Sequence, residues 1–374
     1  MPAGARQRSE DGAARPSASL AAPLPPPFAD ADTGAGGAQM LLSPQPTSGA
    51  ENNTTYQRRR FENRYAIVTA STAGIGLAIA RRLVCEGAAG VAVCSRRADN
   101  VRAAVDELRS LARECNPEES PEVANARIFG AACHVADAEQ RRRFLAAAVD
   151  GAFNGRLDCL VNNAAANPTA GPLLSTPAEA LDKLWEVNVK SALLLTAECA
   201  PHLERTAAER RRRSAMSGGG AASGPSSSSS ASFSAYNSSS AAPSSSSSSS
   251  TCSPPETSCV LFVTSVTAFR PPHPIAAYAV TKTALLGVVR GLADELGPKG
   301  IRVCGLAPGI VRTKFAEALV ADEANARRQR EATVLGRLGT PDDMGGAAAF
   351  LLSDDAGYVT GETLVASGGM PSRL

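Results

Sequence analysis

Histidine is scarce in this chain, with three residues, and none of its nine cysteines falls in a CxxC pair. That leaves no ligand set of the usual spacing for a zinc site, so no metal is expected and the cysteines read as reduced core residues. An excess of charge of one sign is lacking too: the formal net charge is +2, which supplies no whole-molecule field for nucleic acid. No apolar run approaches the roughly 18 residues that a membrane span needs. The N-terminus has no basic head followed by an apolar stretch. These absences lead us to expect a soluble, intracellular protein without nucleic-acid or membrane partners.

Much of the chain also lacks any periodic apolar face. Residues 1–60, with APLPPPF and GAGGAQ, cannot bury enough surface to offset the entropy of ordering, and are expected to be a disordered extension. A Ser-rich insert at about 206–257, densest from Ser217 to Pro255, has the composition of a flexible linker. Two basic runs, QRRRF at 57–61 and ERRRR at 209–213, border these stretches and read as solvated boundaries.

The remainder, 61–374 apart from the insert, alternates short β-rich apolar runs with helical stretches. Candidate strands are 64–70, 91–95, 127–133, 157–163, 259–265, 301–308 and 363–367. The alternation predicts an α/β domain: one Rossmann-type, doubly wound parallel sheet of seven strands with helices on both faces. In such a sheet ligands sit beyond the carboxyl ends of the strands. The Ser-rich insert and the shorter CNPEESPEVANA at 115–126 both follow a helix and precede a strand, so both should leave from the opposite side.

After the first strand comes TASTAGIGLAIARRL, in which Gly74 and Gly76 let the backbone approach a pyrophosphate while the next helix offers its free N–H groups. The second strand ends in Ser95-Arg96-Arg97 with no acidic residue to hold ribose hydroxyls. An arginine there suits a 2′-phosphate, so NADP(H) is expected rather than NAD. Further along, Tyr278 and Lys282 in YAVTK share one helical face, where an ammonium can approach a phenol and favour its ionised form. Ser265 stands thirteen residues before Tyr278, at the end of an apolar strand on the ligand side.

These motifs, together with NNAA at 162–165, Asn188 in VNVK and PGIVRT at 308–313, resemble in order those of the short-chain dehydrogenase/reductase family. The match covers about 61–374 without the inserts. Within the family, TAST with GIG, SRR, NNAAANP, LAPGIVRT and the terminal PSRL look most like the peroxisomal NADP-dependent carbonyl (retinal) reductases. The resemblance implies reversible, NADPH-dependent reduction of ketones and aldehydes such as retinal. A 3-oxoacyl thioester reductase and a non-catalytic NADP-binding regulator are the alternatives.

Read through the resemblance, Tyr278 protonates the carbonyl oxygen, Lys282 lowers its pKa and holds the nicotinamide ribose, and Ser265 hydrogen-bonds the developing alkoxide. Asn188 kinks its helix and holds a water in a relay to Lys282. Ser71, Thr72, Gly74, Ile75 and Gly76 form the phosphate turn, and Ser95 and Arg96 the 2′-phosphate site. His134 and Val135 approach the adenine, Asn163 and Ala164 the adenosine ribose, and Ile310 and Thr313 the nicotinamide. Ala70 replaces the family's first glycine, so that position is expected to tolerate a β-carbon. His273, in a Pro-flanked loop, is read as incidental. Trp185 is expected to be buried at a helix interface, and a homotetramer or homodimer is implied. The terminal Ser-Arg-Leu is a variant of the peroxisomal address, implying an import receptor as partner and a peroxisomal location, with the cytoplasm as the alternative.

Overall fold

The computed structural model describes residues 59–217, 257–319 and 322–372. Seven parallel strands form one sheet: β1 (Tyr65–Val68), β2 (Gly90–Ser95), β3 (Ile128–Ala132), β4 (Cys159–Asn162), β5 (Ser258–Val263), β6 (Ile301–Pro308) and β7 (Thr363–Ala366). Their order is β3-β2-β1-β4-β5-β6-β7, every neighbouring pair parallel. The order reverses direction between β1 and β4, which opens a crevice at the carboxyl ends of those two strands. All seven expected strands are present, each within two residues of its expected start.

The helices cover both faces because the central strands are apolar on both. In β5, Cys259, Leu261 and Val263 point to one core and Val260 and Phe262 to the other, the two-residue period of a pleated strand. The first core lies under α1 (Gly74–Cys85), α2 (Ala98–Cys115) and α8 (Pro341–Leu352), with Leu83, Leu108 and Leu352 fully buried. The second lies under α4 (Ala138–Leu145), α6 (Ser191–Ser217) and α7 (Ala276–Leu296), with Leu203, Leu285 and Val289.

Several boundaries differ from the sequence reading. Helix α6 runs to Ser217, well inside the segment expected to be insert, because Thr206 and Ala207 are buried and the Thr206 hydroxyl accepts the Leu157 N–H at 3.1 Å. Residues 218–256, most of the expected insert, lie outside the described residues, as do 1–58 of the expected extension. Arg60, placed in that extension, is instead tied into the domain: its Nε donates to Glu86 at 2.6 Å and its Nη1 to Asp355 at 3.2 Å. The stretch 115–126 holds a helix, α3 (Pro121–Ala126), started by Ser120, whose hydroxyl accepts the Val123 N–H, and by Pro121 at the first position.

Helix α7, with the turns around it, contradicts the expectation that no segment is long and apolar enough to cross a membrane. His273–Lys299 passes on length and on a mean hydropathy of 1.3. The same apolar content serves here as core packing: Leu285, Val289 and Ala293 press onto the sheet. The helix that follows α5 (Ala178–Trp185) is also not continuous. Between α5 and α6 the turn Glu186–Lys190 is π-helical, with Asn188 at its centre.

Candidate active site

Most of the residues picked from the sequence gather where the crevice predicts. One cavity, of about 260 Å³, is lined by Gly74, Ile75, Asn163, Ser265, Tyr278, Lys282, Ile310 and Thr313. A second, of about 470 Å³, is lined by Thr72, Ser95, Arg96, His134, Val135 and Ala164. Ala70, Ala73, Ala165 and Phe315 line both, so the two form one cleft along the strand ends. Among the described residues no carboxylate lines either cavity, whereas Arg96, Arg97, Lys183, Lys282 and Lys314 do. Such a cleft favours an anionic ligand.

Of the residues picked from sequence, Ser71, Gly76 and Asn188 line neither cavity. Ser71 is fully buried; its hydroxyl donates to the Val68 carbonyl at 2.6 Å and accepts the Cys94 N–H at 3.2 Å, bracing the turn between β1 and β2. A β-carbon on Gly76 would stand 2.5 Å from Asn163 Nδ2 and 2.7 Å from the Ala70 carbonyl. Gly76 thus lets α1 pack close. Asn163 lines the cavity of Tyr278 rather than the one beside Arg96, and its amide is spent on the Thr69 and Ala70 carbonyls at 2.9 and 3.1 Å.

The phosphate turn has the form expected of an anion site. Gly74 has φ +57°, and Ala73, at the N-cap, offers no side-chain acceptor, so the first N–H groups of α1 remain for a ligand. Ala70 adopts φ +50° as well. The position that tolerates a β-carbon does so in the left-handed region, at a cost of roughly 1 kcal/mol. At the other end of the cleft Ser95 Oγ is buried with no hydrogen-bond partner among the described residues, and Asn167 Oδ1 likewise. Orphaned polar atoms in a cleft are satisfied by a ligand or water. The residues present therefore fit a dinucleotide, with Arg96 and Arg97 exposed beside Ser95.

Tyr278 and Lys282 occupy successive turns of α7, and both are buried, at 7% and 2% exposure. Lys282 Nζ donates to the Val263 carbonyl at 2.8 Å and lies 5.7 Å from the Tyr278 ring centroid. Burial brings the lysine down to about 7. It also pushes the Tyr278 phenol above its ordinary value. This reverses the expected lowering by Lys282. The physical reason is that burial strips water from the phenolate, and an ammonium that is itself desolvated and lies 5.7 Å from the ring does not offset that loss.

Ser265 caps a short 3₁₀ turn: its Oγ accepts the Thr267 N–H at 3.2 Å and lies 2.9 Å from the Thr267 hydroxyl. An oxygen that accepts from Thr267 keeps its own hydrogen to donate into the cavity. Asn188, 1% exposed, acts at a distance. Its Oδ1 accepts the Ala166 N–H at 2.7 Å and its Nδ2 donates to the Ala166 carbonyl and the Thr281 hydroxyl, both at 3.0 Å. Both amide hydrogens are used, joining the loop after β4 to α7, so the side chain has none left to donate to a relay water.

Phe315 escaped the sequence reading, although its ring lies 5.7 Å from that of Tyr278. A lone aromatic in a polar stretch carries no pattern that would mark it. His273 is exposed and lines neither cavity. Trp185 is 44% exposed on the single chain, not buried against another helix of it as expected.

Comparison with known proteins agrees with this geometry. A family model described as short chain dehydrogenase matches residues 64–249, and one described as Enoyl-(Acyl carrier protein) reductase matches 228–371. The chain is 40% identical over 316 residues to tropinone reductase-like 3 of Erythroxylum coca, covering 84% of this chain and 96% of that one. It is 37% identical over 318 residues to dehydrogenase/reductase SDR family member 4 of Sus scrofa, covering 85% and 91%. A solved 7α-hydroxysteroid dehydrogenase complexed with NADH and 7-oxo glycochenodeoxycholic acid superposes with a TM-score of 0.63 at 26% identity, over 86% of this chain and 99% of that one. With a seven-stranded parallel sheet and a cleft that joins a glycine turn to a tyrosine, a lysine and a strand-end serine, the chain belongs to the short-chain dehydrogenase/reductase family of oxidoreductases.

Proposed function

We propose that the chain reduces ketones and aldehydes, retinal among the candidates, to alcohols with NADPH, reversibly. One observation carries the reading: Ser265, Tyr278 and Lys282 line the same cavity as Gly74, Ile75 and Thr313. When bound, the nicotinamide supplies the hydride. Ser265 donates its hydrogen to the carbonyl oxygen, and Tyr278 delivers the proton as charge develops there. A phenol held above its ordinary pKa stays protonated at neutral pH, which suits the reductive direction. Lys282 holds the ribose, and Asn188 is a positioning residue that fixes α7 against the loop after β4.

Preference for NADP(H) is supported by the orphaned Ser95 Oγ beside Arg96 and Arg97 and by the lack, among the described residues, of any carboxylate in that half of the cleft. Thr72, His134, Val135 and Ala164 would complete the adenosine side, and Ile310 and Thr313 the nicotinamide side. Assembly into a homotetramer or homodimer is supported by half-exposed Leu181, Trp185 and Val280 on α5 and α7. Peroxisomal location, through an import receptor, rests on the terminal Ser-Arg-Leu, whose last two residues lie outside the described ones.

The test is a panel of ketones, aldehydes and 3-oxoacyl thioesters with NADPH and NADH. Faster oxidation of NADPH with retinal or a diketone than with a thioester is expected. Preference for the thioester would replace the reading with the lipid reductase, and no turnover on any carbonyl would leave a nucleotide-binding protein without chemistry.

A further inference from the structure

Cys85 ends α1 and Cys115 ends α2, and their Sγ atoms stand 3.0 Å apart. Among the described cysteines these two alone are partly exposed; the other six are buried. The approach is set by the helices. Leu83 of α1 and Leu108 of α2 share one core cluster, and Arg81 Nε pairs with Glu107 at 3.1 Å on the surface between them. Closing a disulfide from this position needs the sulfurs to approach by only about 1 Å. Neither thiol lines the cleft.

We propose that Cys85 and Cys115 form an oxidisable dithiol that a hydroperoxide converts to a disulfide, stapling α1 to α2. These are the helices that begin at the glycine turn and directly after Arg97. Burial and the sulfur contact push the Cys85 thiol up to about 12, so Cys85 keeps its proton and Cys115 makes the first attack. The Cys115 thiolate attacks one peroxide oxygen; an S–O bond forms, the O–O bond breaks and hydroxide leaves, taking up the proton Cys115 had released. The Cys85 sulfur then attacks the Cys115 sulfenic acid; the S–S bond forms, the S–O bond breaks, and water leaves with the Cys85 proton. The two thiols together lose two electrons to the peroxide. The ring closed spans 30 positions, which restricts the unfolded chain.

The test treats the full chain with hydrogen peroxide, alkylates remaining thiols, and maps peptides without reduction. The expected result is a linked Cys85–Cys115 peptide and a melting temperature raised by about 5–10 °C. Dithiothreitol should reverse both, the Cys85→Ser and Cys115→Ser variants should show neither, and turnover should be unchanged. Should either variant fold poorly, oxidised and reduced wild type decide the matter alone. Sulfinic acid at Cys115 with Cys85 still alkylatable, a link between two chains, or an unmoved melting temperature would overturn the proposal.

Discussion

The Lys282 ammonium lies 5.7 Å from the centre of the Tyr278 ring while its hydrogen bond goes to the Val263 carbonyl, so the pair is held in place by β5 rather than by direct contact with the phenol. Burial governs both groups, lowering the lysine and raising the tyrosine.

That has a consequence for stability against pH. Lys282 titrates near 7 in the fold and near its ordinary 10.5 when unfolded, so between these values the unfolded chain binds the extra proton and stability rises with pH. Below about 7 the full cost of the buried charge is present; above 10.5 it is gone. Tyr278 acts oppositely, but only above its ordinary value of 10. Urea unfolding of wild type and Lys282→Met across pH 6–10 should show wild type gaining about 3–5 kcal/mol relative to the variant. A pH-independent difference would mean that the lysine is solvated.

Asn188→Ala should act through position. It leaves the Ala166 N–H and carbonyl and the Thr281 hydroxyl without their partner, costing about 1–3 kcal/mol of stability. The turnover number should fall while NADPH affinity holds, read from steady-state kinetics beside a binding titration. Loss of NADPH binding with unchanged turnover of the bound fraction would place Asn188 in the cofactor site instead.

Ala70→Gly should stabilise the protein by up to about 0.5 kcal/mol. The left-handed backbone there penalises the β-carbon by more than glycine's extra unfolded-state entropy. Thermal melting decides it, and a lower melting temperature would show the strain to be absent.

Arg96→Ala should weaken NADPH far more than NADH, because Arg96 lines only the second cavity, next to Ser95, where a 2′-phosphate would sit. Equal losses for the two nucleotides would refute the 2′-phosphate assignment.

The sheet was legible because apolar runs buried on both faces are unlike anything else in the chain, and β1 to β7 begin within two residues of the expected positions. That Gly74, Ser265, Tyr278 and Lys282 would line one cavity was legible because each stands at a fixed distance in sequence from a strand end on the ligand side of the sheet. What escaped was set by packing. The burial of Thr206 extends α6 beyond where composition alone ends it. The Asn163 amide bonds the Thr69 and Ala70 carbonyls, a contact that exists only once β1 and β4 pair and that no local pattern announces. Spacing reveals a cation near Tyr278 but not how little water surrounds both groups, and burial sets the direction of the Tyr278 shift.

The most direct measurement compares carbonyl reduction by wild type and Tyr278→Phe, with NADPH affinity determined on each. Turnover should drop by at least about 100-fold while NADPH binds as before. A folded, NADPH-binding Tyr278→Phe protein that reduces carbonyls near the wild-type rate would contradict the account.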